Sequence, residues 1–218
     1  MSQTLLCVLS YAKANEMVIR HWPFLRRSRC DILGVGRIDT NCMFPTEGLV
    51  GIIRVGKDSY VNGDNLIQLQ LQTLARCLDL FPQYTGFVLA EPDTIFFQPM
   101  PPLQPGFTAH MAGYKSDTFK GARFYHPPWC MDRETASRIV KHGPAMISAG
   151  RIENGFPDRW YGLVCDELNL QVNPLFIYSR NNMDQPHFIQ EARAAIKAGA
   201  ICVHGLKTKQ QLADISLP

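Results

Sequence analysis

The stretch that most constrains this chain is Gly86-Phe-Val-Leu-Ala-Glu91-Pro-Asp93, an apolar run that ends on two carboxylates one residue apart. Unbroken runs of this kind, here Phe87 to Ala90, read as buried strands of a covered sheet rather than as surface hairpins. Packing gives a buried strand no reason to stop on two acids. A hard divalent cation does, because Mg²⁺ and Mn²⁺ prefer oxygen ligands and are typically held by one or two carboxylates plus phosphates. A solvated turn is the competing reading, and Pro92 with Asp93 suits one well. A second apolar run, Ala200-Ile-Cys-Val203, ends on His204-Gly-Leu-Lys207, which offers a further metal ligand and a cation for phosphate. Both pieces lie just beyond strands, where ligands gather in open α/β sheets. Together they suggest a metal–diphosphate site.

The rest of the chain supplies the sheet. Leu5–Ser10 reads as a fully buried strand, followed by a helix over Asn15–Phe24 and strands over Asp31–Ile38 and Leu49–Val55. Asn62-Gly63-Asp64 opens a helix through Leu66, Leu69, Leu74 and Leu78. Gln98 to Gly106 is an irregular Pro-rich connection, and Thr108–Tyr114 is a further strand. Asp132 to Gly143 is the clearest helix, with Asp132 as N-cap, Gly143 just past the end and Pro144 to stop it. An acid-led helix follows Pro157-Asp158, and a last one begins near Pro186 and stops at Gly199. Strands alternating with helices predict a mainly parallel, Rossmann-like α/β sheet flanked by helices, with a mixed second half. No repeat or linker divides the chain, so a single domain over residues 1–218 is expected.

Composition removes several classes. A hydrophobic share of 46% and a charged share of 19% are those of ordinary globular proteins. A net charge of +3 is too small to imply nucleic acid, and Arg26-Arg27-Ser28-Arg29 is a solvated helix end. The seven cysteines include no Cys-x-x-Cys, which argues against structural zinc and for a reducing, cytoplasmic setting. No signal peptide and no transmembrane segment is read from the sequence.

Other motifs are weaker. Gly34-Val35-Gly36 lies within a strand and lacks a third glycine, so it is not a dinucleotide fingerprint. His21 and Trp22 read as packing or capping residues. His126-Pro-Pro-Trp129-Cys130 is a packed loop or, with Trp160, a hint of an aromatic glycan surface. Asp158 in Phe156-Pro-Asp-Arg-Trp-Tyr-Gly162 is either a helix cap or a group that accepts a hydroxyl proton. Asp166 and Glu167 read as solvated.

In this order the motifs resemble nucleotide-sugar-dependent glycosyltransferases of the GT-A fold, in their fringe-like and galactosyltransferase-like branches. Glu91-Pro92-Asp93 is similar to the family's Asp-x-Asp motif, whose last acid binds metal. Tyr125 to Val140 resembles the acceptor-side segment. Pro157-Asp158 resembles the segment that supplies the catalytic base, and His204 the histidine that completes the metal shell. The resemblance implies a hexosyltransferase-like enzyme with a nucleotide-sugar half over 1–110 and an acceptor half over 111–218. Mn²⁺ or Mg²⁺ would be held by Asp93 and His204, with Asp158 as catalytic base if the reaction inverts. Ser10, Tyr11, Arg37, Asp39, Glu91 and Lys207 would bind the donor, a UDP-sugar by first choice, and the acceptor would be a glycan or glycoconjugate. The sequence departs from the family at Glu91, which replaces an Asp, and at Arg159, where fringe-like enzymes carry a second acid. It also presents Asn65, Gln68 and Gln72 where relatives aim a Lys or Arg at the diphosphate. Two other readings stand beside this one: a non-catalytic carbohydrate- or protein-binding domain, and a sugar-nucleotide pyrophosphorylase-like enzyme. The latter would need a glycine-rich loop after the first strand, which Ser10 to Asn15 does not supply.

Overall fold

The computed structural model describes residues 3–10, 14–38, 41–56, 63–111, 123–148, 157–179 and 187–216. In chain order the elements are β1 (Thr4–Leu9), α1 (Asn15–Leu25), β2 (Asp31–Arg37), β3 (Leu49–Val55), α2 (Gly63–Leu80), β4 (Gly86–Ala90), β5 (Thr94–Phe96) and β6 (Phe107–Met111). They continue with β7 (Tyr125–Asp132), α3 (Arg133–Ser148), α4 (Pro157–Glu167), β8 (Val172–Pro174), β9 (Ile177–Ser179), α5 (Phe188–Lys197), β10 (Cys202–His204) and α6 (Lys209–Ser216).

Apolar runs without alternation become strands buried on both faces. Leu5 and Cys7 of β1 point into one core, and Leu6 and Val8 into the other. β1 therefore sits inside a seven-stranded sheet of order β3-β2-β1-β4-β7-β6-β8. Pairings are parallel from β3 to β4 and between β6 and β8, while β7 runs antiparallel to both its neighbours. The result is a Rossmann-like α/β fold, as the alternation of strands and helices predicts.

Helices α2, α3 and α4 cover one face of this sheet through Leu71, Leu74, Ile139, Trp160 and Val164. On the other face lie α1, through Val18, Trp22 and Leu25, and a small sheet of order β5-β10-β9. Phe188, Ala192 and Ile215 of α5 and α6 close over that small sheet. All seven cysteines are free, and six of them are buried.

Four expectations need correction. Residues 126–130 form no loop but part of β7, buried between β4 and β6. Pro127 and Pro128 are tolerated there because the β6 ladder breaks register at that point, passing from Thr108↔Cys130 to His110↔His126. Helix α3 does not end at Gly143 but runs through Gly143 and Pro144 to Ser148. A Cβ on Gly143 would lie 2.9 Å from Leu71 Cδ2 and 3.0 Å from Trp160 Cζ2, so this glycine admits neighbouring helices rather than ending its own. Asp158 is not an N-cap: α4 starts at Pro157 and Asp158 sits inside its first turn. Finally, α6 follows the helix expected to be last. A reciprocal capping box opens it, with Gln211 N donating to Thr208 Oγ1 at 3.0 Å and Thr208 N to Gln211 Oε1 at 3.0 Å. Asp132, by contrast, caps α3 as expected, accepting from Thr135 N at 2.8 Å.

Candidate metal centre and adjoining cleft

The antiparallel pairing of β5 with β10 sets His204 directly opposite Thr94, so the ends of two distant apolar runs meet. Glu91, Asp93 and His204 then offer ligand atoms that all lie within 4.8 Å of one another. His204 Nδ1 is 3.3 Å from Asp93 Oδ1 and 3.2 Å from Thr94 Oγ1, and its Nε2 is 3.7 Å from Glu91 Oε2. Asp93 is 7% exposed, and its Oδ1 is buried without a hydrogen bond. A buried carboxylate oxygen left in that state is costly unless something positive meets it.

The local electrostatics point the same way. Burial pushes the Glu91 pKa well up, the Asp93 and Asp158 carboxylates add to the rise, and Lys207 opposes it. Burial lowers the His204 pKa, Asp93 and Asp158 oppose the shift, and His126 and Lys207 reinforce it. Two acids and a neutral imidazole facing one point form a donor set of two oxygens and one nitrogen that fits a divalent cation. Thr94, beside Nδ1, would orient the imidazole as outer partners do in metal sites.

Beside this cluster, the carboxyl ends of β1, β2 and β3 and the start of α2 enclose a cleft with about 740 Å³ of empty space, part of it open to solvent. Its walls are apolar at Leu9, Val35, Val55, Leu66 and Leu69, while Ser10, Arg37, Glu91, Asp93 and Lys207 bring polar groups to it. Five of the residues expected to bind donor or metal therefore line one space. Ser10 Oγ is buried without a hydrogen bond, and Arg37 is 3% exposed. Tyr11 and Asp39, expected beside them, lie outside the described residues. Of the α2 residues expected to face the diphosphate, Gln68 and Gln72 instead face solvent, the side chain of Asn65 lies outside the described residues, and Leu66 and Leu69 line the cleft.

Asp158 approaches from α4. Its Oδ2 lies 3.3 Å from Nδ1 of His126, which is buried on β7, and its charge reaches both Glu91 and His204. His126 pairs in register with His110 on β6, so two imidazoles stand side by side next to the acid. Sequence reasoning missed this contact because the Pro-Pro pair concealed the strand. The expected aromatic surface is absent here: Trp129 and Trp160 are fully buried, the Trp129 ring lying tilted at 5.2 Å from that of Tyr161 and its Nε1 donating to Tyr125 O. Their rings fill the core and present no face to a sugar.

His21, expected to pack or cap, also bonds to the acid turn. It is fully buried, burial lowers its pKa, and its Nδ1 lies 2.8 Å from the Pro92 carbonyl, which can only accept, so Nδ1 donates. Among the described residues no helix is long and apolar enough to cross a membrane. Compared with the models of known protein families and with curated protein sequences, the chain matches none.

Proposed function

We propose that this chain is a metal-dependent, GT-A-like glycosyltransferase that moves a sugar from a nucleotide-diphosphate donor, a UDP-sugar by first choice, to a hydroxyl acceptor such as a glycan. The observation that carries the reading is the convergence of Glu91, Asp93, His204 and Lys207 at the edge of one strand-end cleft. An apolar slot floored by Leu9, Val35 and Val55 suits a base, and the polar end suits a diphosphate.

Breaking an anomeric C–O bond leaves a nucleoside diphosphate with additional negative charge. Mn²⁺ or Mg²⁺ held by Asp93 and His204 would supply Lewis-acid stabilisation to that leaving group. Lys207, exposed beside the cleft, contributes a cation at the same end and stabilises the charge as it develops. Ser10 and Arg37 orient the nucleoside, and Glu91 holds the ribose directly or through water. Asp158, oriented by His126, takes the acceptor proton in an inverting transfer.

The test is release of UDP from a panel of UDP-sugars with Mn²⁺ present, comparing wild type with Asp93→Asn and Asp158→Asn. Release from one donor, lost in both variants, supports the reading. Nucleotide binding without turnover of any donor, given a panel of glycan acceptors, would move the chain to the class of recognition domains.

A further inference from the structure

The turn that carries the two acids is held by its main chain. Glu91 O accepts from Thr94 N at 3.1 Å, and Asp93 O accepts from Gly205 N at 3.0 Å and Leu206 N at 3.1 Å. The φ of Gly205, +105°, is a conformation that favours glycine and turns successive amides toward that one carbonyl. The middle carbonyl, Pro92 O, is held by a side chain: His21 Nδ1, at 2.8 Å. The residue before it, Arg20, donates from Nη2 to Lys207 O at 3.0 Å. Consecutive residues of one helix thus grip the acid turn and the loop that carries the cation. That helix is itself fixed, with Val18, Trp22 and Leu25 in the core and Trp22 Nε1 bonded to Glu47 O at 2.7 Å.

We propose that Arg20 and His21 of α1 are positioning residues for the candidate site, a two-residue clamp that sets the acid turn in register with the His204–Lys207 strand end. The inference rests on reading Asp93 and His204, with Glu91 beside them, as a cation site. Neither clamp residue touches the cation or the substrate. Both act on carbonyls, so the carboxylates and the ammonium keep their own groups for ligands. A metal site built on loops is only as well ordered as what braces those loops, and α1 is the rigid element within reach. The three other bonds to the turn come from backbone amides, so no side-chain replacement removes them. His21 is the donor that sequence can change.

The test is Mn²⁺ binding to the full chain, read from the paramagnetic resonance of free Mn²⁺ with and without UDP, with thermal unfolding of each variant measured in parallel. His21→Ala removes the donor and is expected to weaken Mn²⁺ binding on the order of 10- to 100-fold, the usual cost of losing an outer partner. His21→Asn restores an N–H near the place of Nδ1 and should recover most of that affinity. Arg20→Met, at a half-exposed position that folding tolerates, should weaken UDP binding more than binding of Mn²⁺ alone. Asp93→Ala should abolish the Mn²⁺ binding that the other variants modulate, leaving the free-ion resonance at its protein-free amplitude. A folded His21→Ala chain that binds Mn²⁺ like wild type overturns the clamp, as does an Asn variant as weak as Ala at equal stability. Should His21→Ala fail to fold, an Arg20→Met chain with wild-type UDP affinity overturns it instead. Failure of wild type to bind Mn²⁺ under either condition overturns the cation site itself.

Discussion

Gly162 offers a test in which two effects of opposite sign compete. It lies inside α4, where alanine ordinarily gains about 1 kcal/mol over glycine. Here a Cβ would stand 1.9 Å from Arg123 O and 2.8 Å from Arg123 C, against a floor near 3.0 Å for real contacts. The obstacle is main chain rather than a flexible side-chain end, so α4 or the chain before β7 must move by roughly 1 Å. Overpacking of that kind costs about 1–3 kcal/mol and occasionally more. With its neighbour unable to yield, the upper part of that range outweighs the propensity gain. Gly162→Ala is therefore expected to destabilise the fold by about 1–2 kcal/mol net, which for a chain of this size lowers Tm by about 2–4 °C per kcal/mol. The same displacement carries Asp158 away from His126, and a shift of about 1 Å at a reacting group costs on the order of 10²-fold in turnover. Urea unfolding with an unchanged m-value reads the stability term directly. An alanine variant more stable than wild type would show that α4 does not rest on the Arg123 backbone, and the placement of Asp158 would fall with it.

Further outcomes follow from individual groups. Saturating Mn²⁺ at about 100 times its Kd should stabilise the wild type by about 2.7 kcal/mol, raising Tm by roughly 5–10 °C, and should leave Asp93→Ala and His204→Ala unmoved in a thermal-shift assay. Tyr161 OH and the Gln70 amide are buried without hydrogen bonds. Tyr161→Phe and Gln70→Met should accordingly leave stability unchanged or raise it by about 1 kcal/mol, and a loss in denaturant unfolding would reveal partners for those groups. Burial and a 2.8 Å hydrogen bond to Asp31 Oδ2 push the Tyr84 pKa up to about 12. A raised folded-state pKa adds stability that is fully present below pH 10 and lost as pH climbs toward 12. Tyr84→Phe should remove that part of the alkaline slope, and identical slopes in both chains would contradict the pairing.

The sheet was legible wherever burial on both faces wrote an unbroken apolar run. β1 and β4 appear within a residue of their expected limits for that reason, β3 matches its limits although Val50 and Ile52 on one face are exposed, and Glu91, Asp93, His204 and Lys207 stand out because charges terminate apolar strands. β7 was illegible for a physical reason: a Pro-Pro pair normally excludes a central strand, and only the local break in the β6 ladder admits it. Gly143 misled because a glycine followed by proline reads as a helix end, whereas its role is to let Leu71 and Trp160 approach. The start of α6 was readable in Thr208-Lys-Gln-Gln211, a capping-box signature that lies close to the stronger His204 signal. His21 acts through Pro92, 71 residues away, and His126 on β7 through Asp158 on α4, and nothing local in the sequence marks either contact. The cleft itself was foreseen only as a place, the strand ends. That α2 would line it with Leu66 and Leu69 rather than with glutamines depended on the helix's rotation against the sheet.

The central claim is that the strand-end acids and the cleft form one metal–nucleotide site. Calorimetric titration of UDP and of GDP into the protein, first with Mn²⁺ and then with EDTA, tests it most directly. The account predicts binding of one nucleotide, weakened at least tenfold by EDTA and in Asp93→Ala. Equal affinity with and without metal, or no binding of either nucleotide, would contradict it and return Glu91-Pro92-Asp93 to the role of a turn.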